Sequence, residues 1–381
     1  YSRKMKSIRE IDLTGKRVFL RVDWNVPLGQ DGILDDYRIS ATIPTIKYLR
    51  DNGCRIIIGT HVGRPDGEII PSLSTKILAQ RFSLLAKFPV SATDYIIESN
   101  VRKHILKMKK GQILVLGNLR WQPEEEHNNQ AFAQIISGYG ELYVNDAFAV
   151  SHRAHASVEA ITNFLPSYPG FLLEKEVAML STLSANPRHP LVLVLGGAKI
   201  KDKIGLIRKF VVRSDKIIVG GAIANTIRYF LGEKVGASIK ETNCEAIVEE
   251  IIDIAKDKLV LPVDDKKYIM PDGRFSVLDI GSRSVEKFAQ IISNAKTIFW
   301  NGNMGMSEKD GFSAGTLGIA QSIAKNPNVT IVAGGDTVGF VRKNNLYNKY
   351  KFVSTGGGAT IEFLAGKKLP GLLALGYYED S

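Results

Sequence analysis

The chain has 381 residues, 44% hydrophobic and 23% charged, with 50 Lys and Arg against 39 Asp and Glu for a net charge of +11. That length exceeds what a single core sustains and predicts two domains, while no apolar run approaches the ~20 residues of a membrane-spanning helix. The basic excess is spread over both halves without a basic arm, an RNP-like aromatic motif or a zinc finger, which argues against nucleic acid and leaves anionic small molecules.

The N-terminus lacks the apolar centre of a signal peptide, and Met5 reads as the native start behind residues 1–4. Cys54 and Cys244 lie far apart with no C-x-x-C or zinc spacing, so a reducing cytoplasm is the expected compartment.

Taken in chain order, one pattern repeats: a short Val/Ile/Leu-rich run ending in Gly, Asp or Asn, then a segment of helical length. The first half supplies "RVFLRVD" (17–23), "RIIIGTH" (55–61), "ILVLGN" (113–118) and "LYVNDA" (142–147). "PSYPG" (166–170) interrupts the pattern and marks a joint, after which "FLLEKEVAMLSTLSA" reads as a stiff connecting helix. The second half supplies "LVLVLGG" (191–197), "KIIVGG" (216–221), "KLVLPVD" (258–264), "TIFWNG" (297–302), "TIVAGG" (330–335) and "KFVSTGG" (351–357). Unbroken apolar runs suit strands buried on both faces of a parallel sheet, and segments such as 243–257 suit crossover helices. The expected fold class is α/β: two doubly wound, Rossmann-like parallel-sheet domains facing a central cleft. The expected bounds are 1–168 and 187–368, joined by a helix over 169–186. A tail over 369–381 is too short for another strand–helix unit and packs back on one domain or the other.

In open parallel sheets ligands bind outside the carboxyl ends of the strands, so the residues after each run are the candidates. The first half offers Asp23, Asn25, His61, Arg64, Arg120 and, in "VSHRAHAS", Arg153, with Arg38 just before a helix-like run. Arginine grips carboxylate and phosphate through a planar fork, which suits a small ligand bearing both. Asp23 and Asn25 suit a hydroxyl. His152 and His155 stand evenly between tuning this pocket and packing, and Arg21, inside its strand, reads as structural. The second half offers glycine: Gly196-Gly197, Gly220-Gly221, Gly302, Gly334-Gly335 and Gly356-Gly357-Gly358. Such strand ends let backbone N–H groups approach an anion, although neither common nucleotide fingerprint, G-x-G-x-x-G or G-x-x-x-x-G-K-[ST], is present. In "GGAKIKDK" Lys199 and Lys203 stand four apart, on one face if the segment is helical, as phosphate ligands or as a solvated face. Asp336 is a hard oxygen ligand suited to Mg²⁺ alongside nucleotide phosphates, Thr337 caps a helix or touches phosphate, and Glu308 suits a ribose.

These stretches resemble the phosphoglycerate kinase family over about residues 8–372. The matching motifs are "RVDWNVPL", "DDYRISATIPTIKYL", "THVGRP", "LRWQPEEE", "NDAFAVSHRAHAS", "LVLGGAKIKDKI", "LPVD", "WNGNMGMSE", "AGGDTV" and "STGGGATIEFLAGKKLPG", in the family's order. The resemblance implies reversible phosphoryl transfer from 1,3-bisphosphoglycerate to MgADP, giving 3-phosphoglycerate and MgATP. It implies that Asp23, Asn25, Arg38, His61, Arg64, Arg120 and Arg153 hold the glycerate ligand. Lys199 and Lys203 would hold nucleotide phosphates; Gly197, Gly220, Gly221, Asn301 and Glu308 would frame adenine, ribose and phosphates. Gly335, Asp336 and Thr337 join that nucleotide set, with Asp336 on Mg²⁺, and Gly356, Gly357 and Gly358 would bring backbone donors to the transferring group. The family also implies a monomer; from the charge distribution and the lack of a long apolar run, neither nucleic acid nor membrane is expected as a partner. Asn303 departs from the family's proline in W-N-G-P, Met306-Ser307 from its Val-Phe, and Trp24 and Trp121 from its frequent phenylalanines. The first two put the stiffness of the nucleotide loop in question.

Mechanistically, Arg38 and Lys199, from opposite domains, are expected to neutralise the transferring group together with Mg²⁺, after domain closure. Two alternatives remain: a kinase for another small acid, and a nucleotide- or nucleic-acid-binding protein without turnover. The joint presence of Arg38, Lys199 and Asp336 argues against the second.

Overall fold

The computed structural model describes residues 5–30 and 32–378. The expected native start behind residues 1–4 and the last three residues of the tail fall outside that range. The chain divides into two compact units, one running to Ala178 and resuming at Lys368, the other Met179–Lys367.

The first unit is built on a six-stranded sheet of β1 (Arg17–Val22), β2 (Arg55–Gly59), β3 (Ser91–Ala92), β4 (Ile113–Val115), β5 (Leu142–Asp146) and β6 (Ser167–Pro169). Its strands run β3-β4-β2-β1-β5-β6, and every pairing is parallel. Alternate residues of the buried runs feed opposite faces, as the pleat requires. Val18, Leu20, Val22, Ile56 and Ile58 join Trp24, Ile46, Leu49 and Phe82 in one core. Phe19, Ile57, Leu114 and Tyr143 join Phe132 and Ile136 in another. The sheet is therefore apolar on both faces, which is why its sequence reads as continuous hydrophobic runs.

"PSYPG" does not simply break the pattern. Residues 167–169 add β6 at the sheet edge, where a proline without an N–H is tolerated. The following helix, Phe171–Ala185, begins in the first unit and ends in the second. Its first turn is held by Asp146 at the end of β5, whose Oδ1 accepts from Leu172 N at 2.9 Å and Leu173 N at 3.2 Å. The tail returns to the first unit: Gly371 N donates to Ser151 O at 2.9 Å, and Leu369 and Leu372 are buried.

The second unit repeats the plan with β7 (Leu191–Leu195), β8 (Lys216–Val219), β9 (Leu259–Val260), β10 (Thr297–Asn301), β11 (Val329–Ala333) and β12 (Phe352–Val353), ordered β9-β8-β7-β10-β11-β12. Here too all pairings are parallel. It also carries an antiparallel hairpin, Asp265–Ile269 with Phe275–Ile280. In each sheet the first strand of the unit, β1 or β7, has later strands on both sides, and such a reversal of strand order is where open sheets bind ligands. Among the described residues no helix is long and apolar enough to cross a membrane.

Candidate active site

The end of β1 gathers five of the seven residues expected on the first unit. Asp23 follows the strand and is buried; Arg38, inside the helix Tyr37–Ala41, donates from Nη1 to Asp23 Oδ2 at 2.7 Å and to Asn25 O at 3.2 Å. Asn25 Oδ1 accepts from Gly63 N at 2.9 Å, and Arg120 Nη1 donates to Gly63 O at 3.1 Å. One glycine thus ties the strand ends of β1, β2 and β4, and it fixes the backbone from which the exposed Arg64 projects. His61 is buried against Arg21, whose Nη2 lies 3.3 Å from its Nδ1. Burial first, then the charges of Arg21, Arg120 and Arg38, hold the His61 imidazole well below its ordinary value, so the ring is neutral at physiological pH.

Arg153 is exposed, whereas His155, two residues on, is buried with its ring 3.9 Å from Glu125 Oε1. Burial and the neighbouring arginines Arg21, Arg120 and Arg153 push His155 down to about 3. Of the two readings left open for His155, tuning or packing, its burial matches packing beneath the pocket, while Arg153 faces outward. Sequence reasoning passed over Gly63 and Glu125. Glu125 looks like one of three consecutive surface acids, yet it is fully buried and paired with Arg21 at 3.7 Å.

The second unit holds a cavity of about 1340 Å³ outside the end of β7. Its lining includes Gly197, Lys199, Lys203, Gly221, Asn301, Glu308, Gly335, Asp336, Thr337, Gly357 and Gly358. At Gly196 and Gly302 backbone meets backbone. A Cβ on Gly196 would lie 2.1 Å from Asn303 O, and one on Gly302, at φ +97°, would lie 2.2 Å from Gly196 O. Gly197 N donates to Asn303 O at 3.1 Å and Gly221 N to Met304 O at 2.8 Å, so the loop after β10 is stitched to the ends of β7 and β8. Gly220 caps the helix Gly221–Phe230, and Gly335 opens the helix Gly335–Lys343. Gly356 N is held by Ser354 Oγ at 3.1 Å just before the helix Gly358–Leu364.

Residues 200–203 form a bend and a turn, and the helix starts only at Ile204, so Lys199 and Lys203 do not share a helical face. They part in environment instead. Lys199 is exposed on the cavity wall; Lys203, also on the wall, is half-buried and donates to Asn301 Oδ1. Burial pushes Lys203 down to about 8. Asn301 Nδ2 in turn donates to Ala333 O at 2.9 Å, so this side chain is a bracket for Lys203. Thr337 is buried, and its Oγ1 accepts from Gly302 N at 2.8 Å, supporting the glycine turn rather than capping its own helix. Glu308 and Asp336 are exposed, both on the cavity lining.

Two departures from the family pattern meet. Asn303 Nδ2 donates to Ser307 Oγ at 2.7 Å, closing the loop that a proline would otherwise stiffen. Beneath it, buried Asp279 is pushed up to about 6 by desolvation and accepts from Gly315 N at 2.8 Å. Trp24 is likewise accommodated: its Nε1 donates to Thr42 Oγ1 at 3.1 Å, and its ring stacks on Phe82.

Among the described residues no group of three or more His, Cys, Asp and Glu could by itself cage a metal. The exposed carboxylate of Asp336, on the wall of a cavity that also carries lysines and backbone donors, suits a hard cation that shares its coordination with phosphate oxygens.

Cationic strand ends on one α/β unit and glycine-lined strand ends on the other define an anion-binding protein of the two-unit parallel-sheet class. A family model for phosphoglycerate kinase matches residues 8–367. The chain is 41% identical over 392 residues to the phosphoglycerate kinase of Pseudothermotoga lettingae, covering 98% of each chain. It is 40% identical over 388 residues to that of Coprothermobacter proteolyticus, covering 98% of this chain and 99% of the relative. Among solved structures, phosphoglycerate kinase from Coxiella burnetii superposes with a TM-score of 0.84 at 32% identity, covering 98% of this chain and 99% of that one. The enzyme from Pyrococcus horikoshii superposes with a TM-score of 0.88 at 31% identity, covering 97% and 98%. The chain belongs to the phosphoglycerate kinase family. It is a glycolytic kinase, a phosphotransferase with a carboxyl group as acceptor, and its substrates are a phosphoglycerate and a nucleotide.

Proposed function

We propose that the chain catalyses reversible, Mg²⁺-dependent transfer of the acyl phosphoryl group of 1,3-bisphosphoglycerate to ADP, giving 3-phosphoglycerate and ATP. Asp23 and Asn25 orient the glycerate hydroxyl, His61, Arg64, Arg120 and Arg153 hold its anionic groups, and Arg38 meets the end that reacts. On the nucleotide side Lys199 and Lys203 hold phosphates. Gly197, Gly220, Gly221, Asn301, Glu308, Gly335, Thr337 and Gly356 frame the nucleotide, and Gly357 and Gly358 offer N–H groups to the transferring phosphoryl. Asp336 would hold Mg²⁺, which when bound supplies charge neutralisation at the phosphate oxygens. The acyl phosphate is already activated, so the ATP-forming direction needs no general base, only alignment and charge stabilisation.

The observation that carries this reading is the division of chemistry between equivalent strand ends. A set of forked cations is assembled after β1, where an acid bearing phosphate fits. A backbone-lined cavity with Lys199 and Lys203 on its wall is assembled after β7, where a nucleotide fits. Because the two ligands belong to different units, in-line transfer requires the units to close on each other, with water excluded. The protein acts as a cytoplasmic monomer, without nucleic-acid or membrane partners.

Turnover of 3-phosphoglycerate and MgATP, followed by NADH oxidation in a coupled dehydrogenase assay, tests the activity directly. Arg38→Ala is expected to lower kcat by about 10²–10³-fold. A near-normal kcat with only a raised KM would remove Arg38 from the transition state. Small-angle scattering that shows no compaction with both substrates bound would count against closure.

A further inference from the structure

We propose that Arg21, fully buried in the first sheet, is a positioning residue that keeps the proton of His61 on Nε2. The ring is thereby made a neutral hydrogen-bond donor to the bound acid. This rests on the reading above that His61 contacts the glycerate ligand.

Arg21 lies in β1, paired with Gly59 on β2 and Asn145 on β5. It is fully buried on the face it shares with Phe19 and Tyr143, where an unpaired charge would cost several kcal/mol. Its guanidinium is anchored on every side. Nε donates to Ser157 Oγ at 2.7 Å, Nη1 to Val22 O, and Nη2 faces Glu125 Oε1 at 3.7 Å. Glu125 is itself fixed by Ser157, which donates from N at 2.9 Å and from Oγ. Ser157 is steadied by Tyr143, whose hydroxyl donates to Ser157 O at 2.8 Å. Neutralising the charge needs only Glu125. The same guanidinium nevertheless presents Nη2 to His61 Nδ1 at 3.3 Å.

A guanidinium carries only donors and stays charged throughout the accessible pH range. His61 Nδ1 must therefore accept, and the ring proton is displaced to Nε2. The groups around the ring are Arg21 and Asp23 from β1 and its end, Arg38 from the helix Tyr37–Ala41, Arg120 from the turn Leu119–Trp121, and His155. Asp23 Oδ1, 3.8 Å from the same Nδ1, would favour the opposite tautomer or an imidazolium. Burial and the arginines oppose it. Arg21, at hydrogen-bond distance, is the group that decides.

The test is a long-range ¹H–¹⁵N correlation spectrum of the full chain, with His61 assigned by its loss in His61→Gln. The wild-type ring is expected to show a bare Nδ1 and a protonated Nε2, without titrating between about pH 6 and 8. In Arg21→Met the tautomers mix and the titration of the ring moves up towards the ordinary imidazole range, with burial still holding it below. The KM for 3-phosphoglycerate should rise about tenfold at pH 8, with kcat within about twofold and the KM for MgATP unmoved. That ratio to wild type, from which the ligand's own titration cancels, should shrink towards pH 6 as imidazolium forms and attracts the acid. Ser157→Ala, which removes one anchor without burying an unpaired charge, should act in the same direction but less. It decides the matter with the wild-type spectrum if Arg21→Met does not fold. An Nδ1–H ring in the wild type overturns the proposal, and so does a KM ratio flat with pH, or a parallel rise in both KM values. His61→Ala with an unchanged KM for 3-phosphoglycerate would overturn the ligand role of His61. An Nδ1–H ring alongside a raised KM in His61→Ala would overturn the Arg21 step alone.

Discussion

The ends of β1 and β7 occupy the same place in two sheets of the same design, yet they present opposite chemistries. After β1 the work falls to side chains: Asp23, Asn25, Arg38, His61 and Arg120 interlock through distances of 2.7–3.8 Å. After β7 it falls to the backbone, with glycines at contact separations that no side chain permits and only a few lysines to add charge. Specificity for a small acid needs directed forks, which only side chains supply. A nucleotide offers a long, shaped anion that rows of N–H groups can follow. The two ends should therefore fail differently when altered.

The largest effect is expected where a Cβ has nowhere to go. Gly302→Ala combines a left-handed backbone with overlap on Gly196 O, and should destabilise the protein by at least about 3 kcal/mol in chemical denaturation. Gly335→Ala, whose Cβ would meet nothing within 4 Å, should leave stability within about 0.5 kcal/mol. Equal losses would mean that the close approach of backbones is not what these glycines serve.

Next comes the half-buried Lys203 of the second unit. Lys203→Met should raise the KM for MgATP by about tenfold and leave that for 3-phosphoglycerate alone. The pH dependence has a definite sign. Lys203 titrates at about 8 when folded, against 10.5 for an ordinary lysine, so between these pH values the unfolded chain holds the extra proton and stability rises with pH. Over the same window a neutral Lys203 should lose its grip on phosphate, raising the KM for MgATP as pH passes about 8. A KM that falls instead would assign the phosphate contact elsewhere.

The smallest effect belongs to the loop brace. Asn303→Ala and Ser307→Ala should each raise the KM for MgATP by about threefold with kcat retained. The double variant should be no worse than either single one, because both remove the same bond. Additive effects would show that the two residues act separately.

Much of this could be read in the sequence because parallel strands buried on both faces write themselves as Val/Ile/Leu runs with the ligand residues at their ends. What escaped has physical causes. The strand at 167–169 hides behind two prolines that only an edge position tolerates. The hairpin 265–280 carried its signal in "PDG" at 271–273, a turn sequence between β-rich stretches. Spacing would put Lys199 and Lys203 on one face only if the segment were helical, and the helix begins at Ile204, after both. The support under His61 could not be read at all: Arg21 and Ser157 are 136 positions apart, and no local rule spans that distance.

The returning tail settles an order of events during synthesis. Leu369 and Leu372 are part of the first unit's interior, and Gly371 lies so close to Ser151 and Val158 that a Cβ would touch both side chains. All of Met179–Lys367 leaves the ribosome before these residues do. The first unit therefore waits with a gap beneath the segment that carries Arg153, and the half of the protein that is translated first is the last to be finished.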